Sequence, residues 1–278
     1  MTHWIRVKHD DNIKFGTLDD GQITIHSGDK FDEPTPTDEI LPLDSVEILT
    51  PCLCSKIIGL WNNFGAAAAK NDLERPPEPL YFYKPSSGTL APGGTIVRPE
   101  SYEGRVIFEG ELGVVIGKRC KNISLEEASD YVYGYTCVND VTALDIISED
   151  PSFAQWSRAK SFDTFTPFGP VVATDLDAQS LQVTSTLNGK VRQDYPVSDM
   201  FLSPLELVQL ISRGMTLLPG DVITCGTSLG AVPMKPGDTI DKVRPRELKE
   251  YVGFLARLLL RLSLVPPNDW PENPVTPE

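Results

Sequence analysis

The chain has 278 residues, 40% of them hydrophobic, enough to bury a full core, and a formal charge of −14 at pH 7. That charge disfavours nucleic acid, whose phosphates it would repel, and equally an anionic membrane surface. No apolar run approaches the roughly 20 residues of a membrane span, and no apolar stretch follows the opening MTHWIRVKHDDNIKF, so a soluble, cytoplasmic protein is expected.

Residues 1–50 alternate short β-like pieces (WIRVKH, NIKFGTL, QITIHSG) with turn residues, then enter the Pro- and Asp-rich FDEPTPTDEILPLDSV. The pattern predicts a small N-terminal β module and a linker. Five cysteines, scattered and odd in number, make no disulfide framework. The Cys52–Cys54 pair lacks a second pair or a nearby histidine, so reduced structural cysteines are expected there.

From about residue 55, β-rich segments (KIIGL, YFYK, GTIVRP, GPVVAT, LQVTSTLNG, DVITCGT) are punctuated by Gly and Pro. Helices are predicted at AAAAKNDLE, at SLEEASDYVYGY with Ser124 as N-cap and Glu127 three residues on, and at SPLELVQLISRG. Strands outnumber helices and no βαβ alternation or Gly-x-Gly-x-x-Gly turn occurs. An α+β fold is therefore expected, not a nucleotide-binding sheet. Three parts follow: 1–50, 51–243, and 244–278, the last an amphipathic helix over PRELKEYVGFLARLLLRLS and a Pro-rich tail.

The run IFEGELGVVIG at 107–117 carries two glutamates inside an apolar stretch that reads as a buried strand. Residues two apart on a strand share a face, so Glu109 and Glu111 project side by side. Unpaired, they would repel each other and lose solvation, so protons, cationic side chains or a metal ion must neutralise them. Asp140, in YTCVNDVTALD, is a third acid placed where a strand end can return to the same mouth. Three carboxylates without a histidine suit a hard cation, Mg²⁺, Mn²⁺ or Ca²⁺, in preference to Zn²⁺.

The ordered motifs YFYKPSSGTLAPGGTIVRP, FEGELGVVIGK, DYVYGYTCVNDVTA, KSFDTFTPFGPVVAT, TLNGKVRQ and LISRGMTLLPGDVITCGTSLG closely resemble the fumarylacetoacetate hydrolase family over roughly residues 55–240. The resemblance implies a mixed β-roll or β-sandwich fold and a homodimer. It implies that Glu109, Glu111 and Asp140 bind Mg²⁺ or Mn²⁺ and that Lys160 stands near the metal as a catalytic residue. Thr227 falls on the threonine that binds a substrate oxygen, followed here by Ser228 where proline is usual; Gln193 and Lys84 also match substrate-side positions.

Two departures from the family pattern stand out. Relatives carry a His and, three residues later, a Glu that together activate water; here these positions hold Gly65 and Ala68, leaving Lys70 as a nearby ionisable candidate catalyst. An arginine four residues past the metal-binding aspartate, which grips a substrate carboxylate, is replaced by Leu144. The expected function is divalent-metal-dependent hydrolysis of a C–C bond in an oxo acid or 1,3-dicarbonyl of catabolism. Without the dyad, an isomerase, tautomerase or decarboxylase of a 2-oxo or 2-hydroxymuconate-type acid is the alternative, and a non-catalytic metal-binding protein the third.

Overall fold

The computed structural model describes residues 1–241 and 264–265; the helix and tail expected over 244–278 lie almost wholly outside the described residues. The chain opens with a meander of four strands, β1 (Thr2–His9), β2 (Asn12–Asp19), β3 (Gln22–Asp29) and β4 (Asp32–Pro42), then β5 (Glu47–Ile48) and β6 (Ile57–Trp61). Helix α1 (Gly65–Lys70) precedes β7 (Leu80–Lys84), β8 (Thr89–Leu90), β9 (Ile96–Val97), β10 (Val106–Ile107), β11 (Gly110–Ile116), β12 (Val132–Asn139) and β13 (Thr142–Ala143). Next come α2 (Trp156–Lys160), β14 (Thr166–Thr174), the hairpin β15 (Gln182–Leu187) and β16 (Lys190–Pro196), α3 (Pro204–Gly214), β17 (Val222–Thr224) and β18 (Ile240–Asp241). Strands dominate and helices are few, an α+β fold.

One large sheet runs β4-β3-β2-β1-β14-β12-β11-β17-β6-β7, with β5 on β1 and β8 on β14. The N-terminal meander is thus continuous with the rest of the sheet: β1 pairs antiparallel with β14 from Thr2–Thr174 to Ile5–Val171. Period-two alternation buries Ile5 and Val7 of β1 and Ile23 and Ile25 of β3 against Val171 of β14. The segment expected to be a linker is largely the edge strand β4. Its prolines are tolerated because an edge strand leaves one row of backbone groups unpaired, and its acidic residues guard that edge.

At the centre, every residue of β11 is buried. Val115 packs with Ile57, Val138, Val172 and Val222, while Val114 and Ile116 pack with Ile58, Ile223 and the Leu207, Val208 and Ile211 face of α3. Each such side chain contributes roughly 1.5–3 kcal/mol relative to exposure, so β11 is a rigid base for what its first residues carry. Helix α3 forms where the sequence places it, with Ser203 and Glu206 completing a capping box around Pro204, the first residue of the helix. The helix expected over 124–135 does not form. Ser124 and Glu127 do exchange capping hydrogen bonds (2.9 and 3.3 Å), but only a 3-10 turn, Ala128–Tyr131, follows. From Val132 the β-favouring residues of VYGY are drawn into β12, between β11 and β14.

Candidate metal centre

The run read as one strand over 107–117 is interrupted at Phe108 and Glu109: β10 leaves to pair with β13, and β11 begins at Gly110. Antiparallel pairing of β11 with β12 sets Gly110 opposite Asn139, so the start of one strand lies beside the end of the other. Two hydrogen bonds fasten this junction, Asp140 N to Glu109 O at 2.9 Å and Glu109 N to the Asn139 side-chain oxygen at 3.1 Å. Glu109, Glu111 and Asp140 consequently converge, with one carboxylate oxygen from each within 4.8 Å of the others. Asp140 and Glu111 are 0% and 1% exposed.

Two buried lysines meet this charge. Lys160 Nζ donates to Glu109 Oε2 at 2.5 Å, Asp140 Oδ2 at 2.6 Å and Thr142 Oγ1 at 2.6 Å. Lys84 Nζ lies 2.6 Å from Asp140 Oδ1 and donates to the Lys160 carbonyl at 2.7 Å. Burial alone would raise the Asp140 pKa, but Lys160 and Lys84, one on each oxygen, hold it below its ordinary value. Burial lowers the Lys160 pKa, yet the charges of Asp140, Glu109 and Glu111 outweigh it and hold the ammonium above its usual range. Burial pushes Glu109 up, with Lys160 opposing.

Glu111 is the member without a cation among the described residues. Its Oε2 accepts from Gly226 N at 2.9 Å, and burial with the neighbouring Asp140 and Glu109 charges drives its pKa well up. Gly226 makes that bond from the left-handed region at φ +91°, where a Cβ would also sit 3.3 Å from the Leu60 carbonyl. Three carboxyl groups against two ammonium groups leave Glu111 to be met by a proton or by a further cation. A divalent cation fits this set, since the donors are hard oxygens already gathered in a desolvated site.

A second polar group adjoins the acids at Gly110. Gln193, on β16 and fully buried, accepts from Gly110 N and from Ser185 Oγ, both at 2.8 Å, and donates to Thr227 Oγ1 at 2.7 Å. Thr227 Oγ1 and Tyr195 OH both donate to the Gly110 carbonyl, at 3.3 and 2.5 Å. Thr227 is half-buried. Asn63 ties the surrounding loop together, donating to the carbonyls of Cys225 and Leu202 at 2.9 and 3.1 Å.

The structure thus brings together Glu109, Glu111, Asp140, Lys160 and Lys84, with Thr227 and Gln193 beside them. Lys84, expected on the substrate side, instead stands behind Asp140, fully buried, with its protons directed at Asp140 and at backbone carbonyls. Lys70 is exposed at the end of α1, and its side chain makes no hydrogen bond or ion pair among the described residues. Leu144 is half-buried two residues beyond Thr142, and its N donates to the Arg105 carbonyl at 2.8 Å. A Cβ at Gly65 would stand 3.0 Å from Asp199 Oδ1, the residue whose other oxygen accepts from Ala66 N; the start of α1 is already closed by that carboxylate. Thr142, Tyr195 and Gly226 were not singled out from sequence. Only Thr142, inside NDVTA, carried a signal, its spacing from Asp140.

The family description "Fumarylacetoacetate (FAA) hydrolase C-terminal" matches residues 56–244, and "Rv2993c-like, N-terminal" matches residues 2–51. The solved structure of 2-hydroxyhepta-2,4-diene-1,7-dioate isomerase from Mycobacterium marinum is similar with a TM-score of 0.84 at 32% identity, over 97% of this chain and 100% of that one. Mitochondrial oxaloacetate decarboxylase of Dictyostelium discoideum is 34% identical over 189 residues, 66% of this chain and 86% of that protein. Oxaloacetate tautomerase YisK of Bacillus subtilis is 40% identical over 182 residues, 62% of this chain and 59% of that protein. With the family match covering residues 56–244, most of the chain, the protein belongs to the fumarylacetoacetate hydrolase family, whose members are enzymes.

Proposed function

We propose that the protein is a divalent-metal-dependent tautomerase or decarboxylase of a small 2-oxo acid of the oxaloacetate type. Glu109, Glu111 and Asp140 would hold Mg²⁺ or Mn²⁺, and the bound ion would supply Lewis-acid polarisation of the carbonyl beside the carboxylate. Lys160 places a positive charge beside the same acids, where it can offset charge that develops on the substrate oxygen. Thr227, whose oxygen accepts from Gln193, could turn its one proton from the long 3.3 Å contact with the Gly110 carbonyl to a substrate carboxylate oxygen.

The observation that carries this reading is the residue content of the α1 start. Hydrolysis requires a base to take a proton from water, and the positions that would supply it are Gly65 and Ala68. The three histidines of the chain lie on β1 and β3, away from the acids at β11. Decarboxylation splits no water: the C–C bond to the departing carboxylate breaks, CO₂ leaves, and the electron pair stays on the oxo acid until a proton is returned. Tautomerisation likewise moves one proton within the substrate. The names of the decarboxylase and tautomerase relatives accord with this choice.

Product analysis separates the outcomes. Incubated with Mn²⁺ and oxaloacetate, the protein should accelerate enol–keto exchange or release pyruvate and CO₂, both visible by NMR. Acetylpyruvate should be cleaved slowly, since loss of general-base assistance typically lowers rates about 10²- to 10⁴-fold. Rapid release of acetate from acetylpyruvate with an inert response to oxaloacetate would overturn the proposal.

Leu144 leads to a prediction on specificity. An apolar side chain cannot compensate a carboxylate that reaches it, so Leu144→Arg should raise kcat/KM for a diacid longer than oxaloacetate relative to oxaloacetate itself. A wild-type protein that already prefers the longer diacid would count against a substrate-facing Leu144.

A further inference from the structure

Lys160 ends a helix of five residues, α2, too short to hold its shape by backbone hydrogen bonds alone. Its position must come from packing, and β7 supplies it twice. Phe82 and Lys84 are two apart on that strand and share a face. The Lys160 ammonium lies over the Phe82 ring, 4.9 Å from its centroid, while Lys84 Nζ holds the Lys160 carbonyl at 2.7 Å.

The ring is itself held on two sides. Trp156, four residues before Lys160 and so its neighbour along one side of α2, stacks on Phe82 with centroids 6.0 Å apart and planes at 15°. Trp61, at the end of β6, packs on Trp156 at 5.3 Å. Gly59 stands directly opposite Phe82 in the β6–β7 register, where a Cβ would come within 2.3 Å of the ring. No other residue leaves the ring that seat.

We propose that Phe82, seated on Gly59 and covered by Trp156, is a positioning residue that aims the Lys160 ammonium at Glu109, Asp140 and Thr142. The negative face of the ring adds an attractive contact to a cation that also donates to three oxygen acceptors. A leucine fills similar space without that face, so the ammonium loses its support and samples other orientations. The effect expected on turnover rests on the oxo-acid reading above; the effect on the lysine itself does not.

The test uses the full chain loaded with Mg²⁺ and labelled with ¹⁵N-lysine, the Lys160 signal being assigned through Lys160→Arg. In wild type the Lys160 NH₃⁺ protons should exchange slowly. In Phe82→Leu their exchange should quicken by about tenfold, the scale of one desolvated cation–π contact, and Phe82→Tyr should restore the wild-type rate. Gly59→Ala, which displaces the ring without removing it, should behave like Phe82→Leu and carries the test if that variant does not fold. With oxaloacetate, both destabilised variants should lose kcat by a similar factor while KM and the metal Kd change less than about twofold. Unaltered Lys160 exchange in folded Phe82→Leu or Gly59→Ala would overturn the proposal. Absence of oxaloacetate turnover in wild type would count against the oxo-acid reading alone, with the exchange rates still deciding the role of Phe82.

Discussion

Glu111→Gln is expected to abolish divalent-ion binding while leaving the metal-free protein at least as stable as wild type. Glutamine retains an oxygen for the Gly226 N–H but removes a buried carboxyl group that no lysine meets among the described residues, and a neutral amide bears no cost of keeping that group protonated or of burying its charge. Wild type should gain about 2.7 kcal/mol of stability when Mn²⁺ is present at a hundred times its Kd, and the variant nothing. Thermal melts with and without metal check both halves. A variant that melts early without metal would mean that Glu111 is a structural group, and a retained metal shift would place the ion elsewhere.

The same residue sets the sign of the pH dependence. Its folded pKa is raised above the unfolded value, so below the unfolded carboxyl pKa the metal-free fold bears no cost from Glu111, and stability is lost as pH rises through the raised folded pKa. Metal affinity runs the other way, strengthening with pH over that window because the ion displaces the Glu111 proton. Calorimetry in two buffers of different ionisation enthalpy should register proton release on Mn²⁺ binding.

Lys160→Met should have the larger effect on the metal-free protein. The substitution leaves Glu109, Asp140 and Thr142 facing an apolar end, with only Lys84 to meet three acids. Breaking a buried ion pair by removing one partner typically costs about 3–5 kcal/mol, enough to threaten a domain of ordinary stability. Divalent ion should restore part of that loss by supplying the missing positive charge, whereas oxaloacetate turnover should stay low. Denaturant unfolding of the variant with and without Mg²⁺ measures this, and a variant as stable as wild type without metal would show that Lys160 is not balancing the acids.

Much of this site was legible in the sequence, for physical reasons particular to each residue. Glu109 and Glu111 stood out because charge inside an apolar β-rich run requires a partner; Lys160 meets Glu109, while Glu111 faces no cation among the described residues. Where they sit relative to the strand was less legible: the exit of β10 to pair with β13 is a tertiary choice that IFEGELGVVIG does not record. The stretch 124–135 misled because Ser124 and Glu127 do form a cap, while VYGY obeys pairing with β11 and β14 instead of helix propensity. FDEPTPTDEILP reads as linker because proline marks breaks, but an edge strand accepts it. Lys84 matched the family pattern, yet its place behind Asp140 follows from β7 packing against α2, two segments more than seventy positions apart in sequence.

The most direct test of the metal assignment is an anomalous difference map from crystals of the full chain grown with Mn²⁺. One strong peak bonded to oxygens of Glu109, Glu111 and Asp140, absent in Glu111→Gln crystals, is the expected result. A map without that peak at saturating Mn²⁺, or with the ion held by other residues, would contradict it.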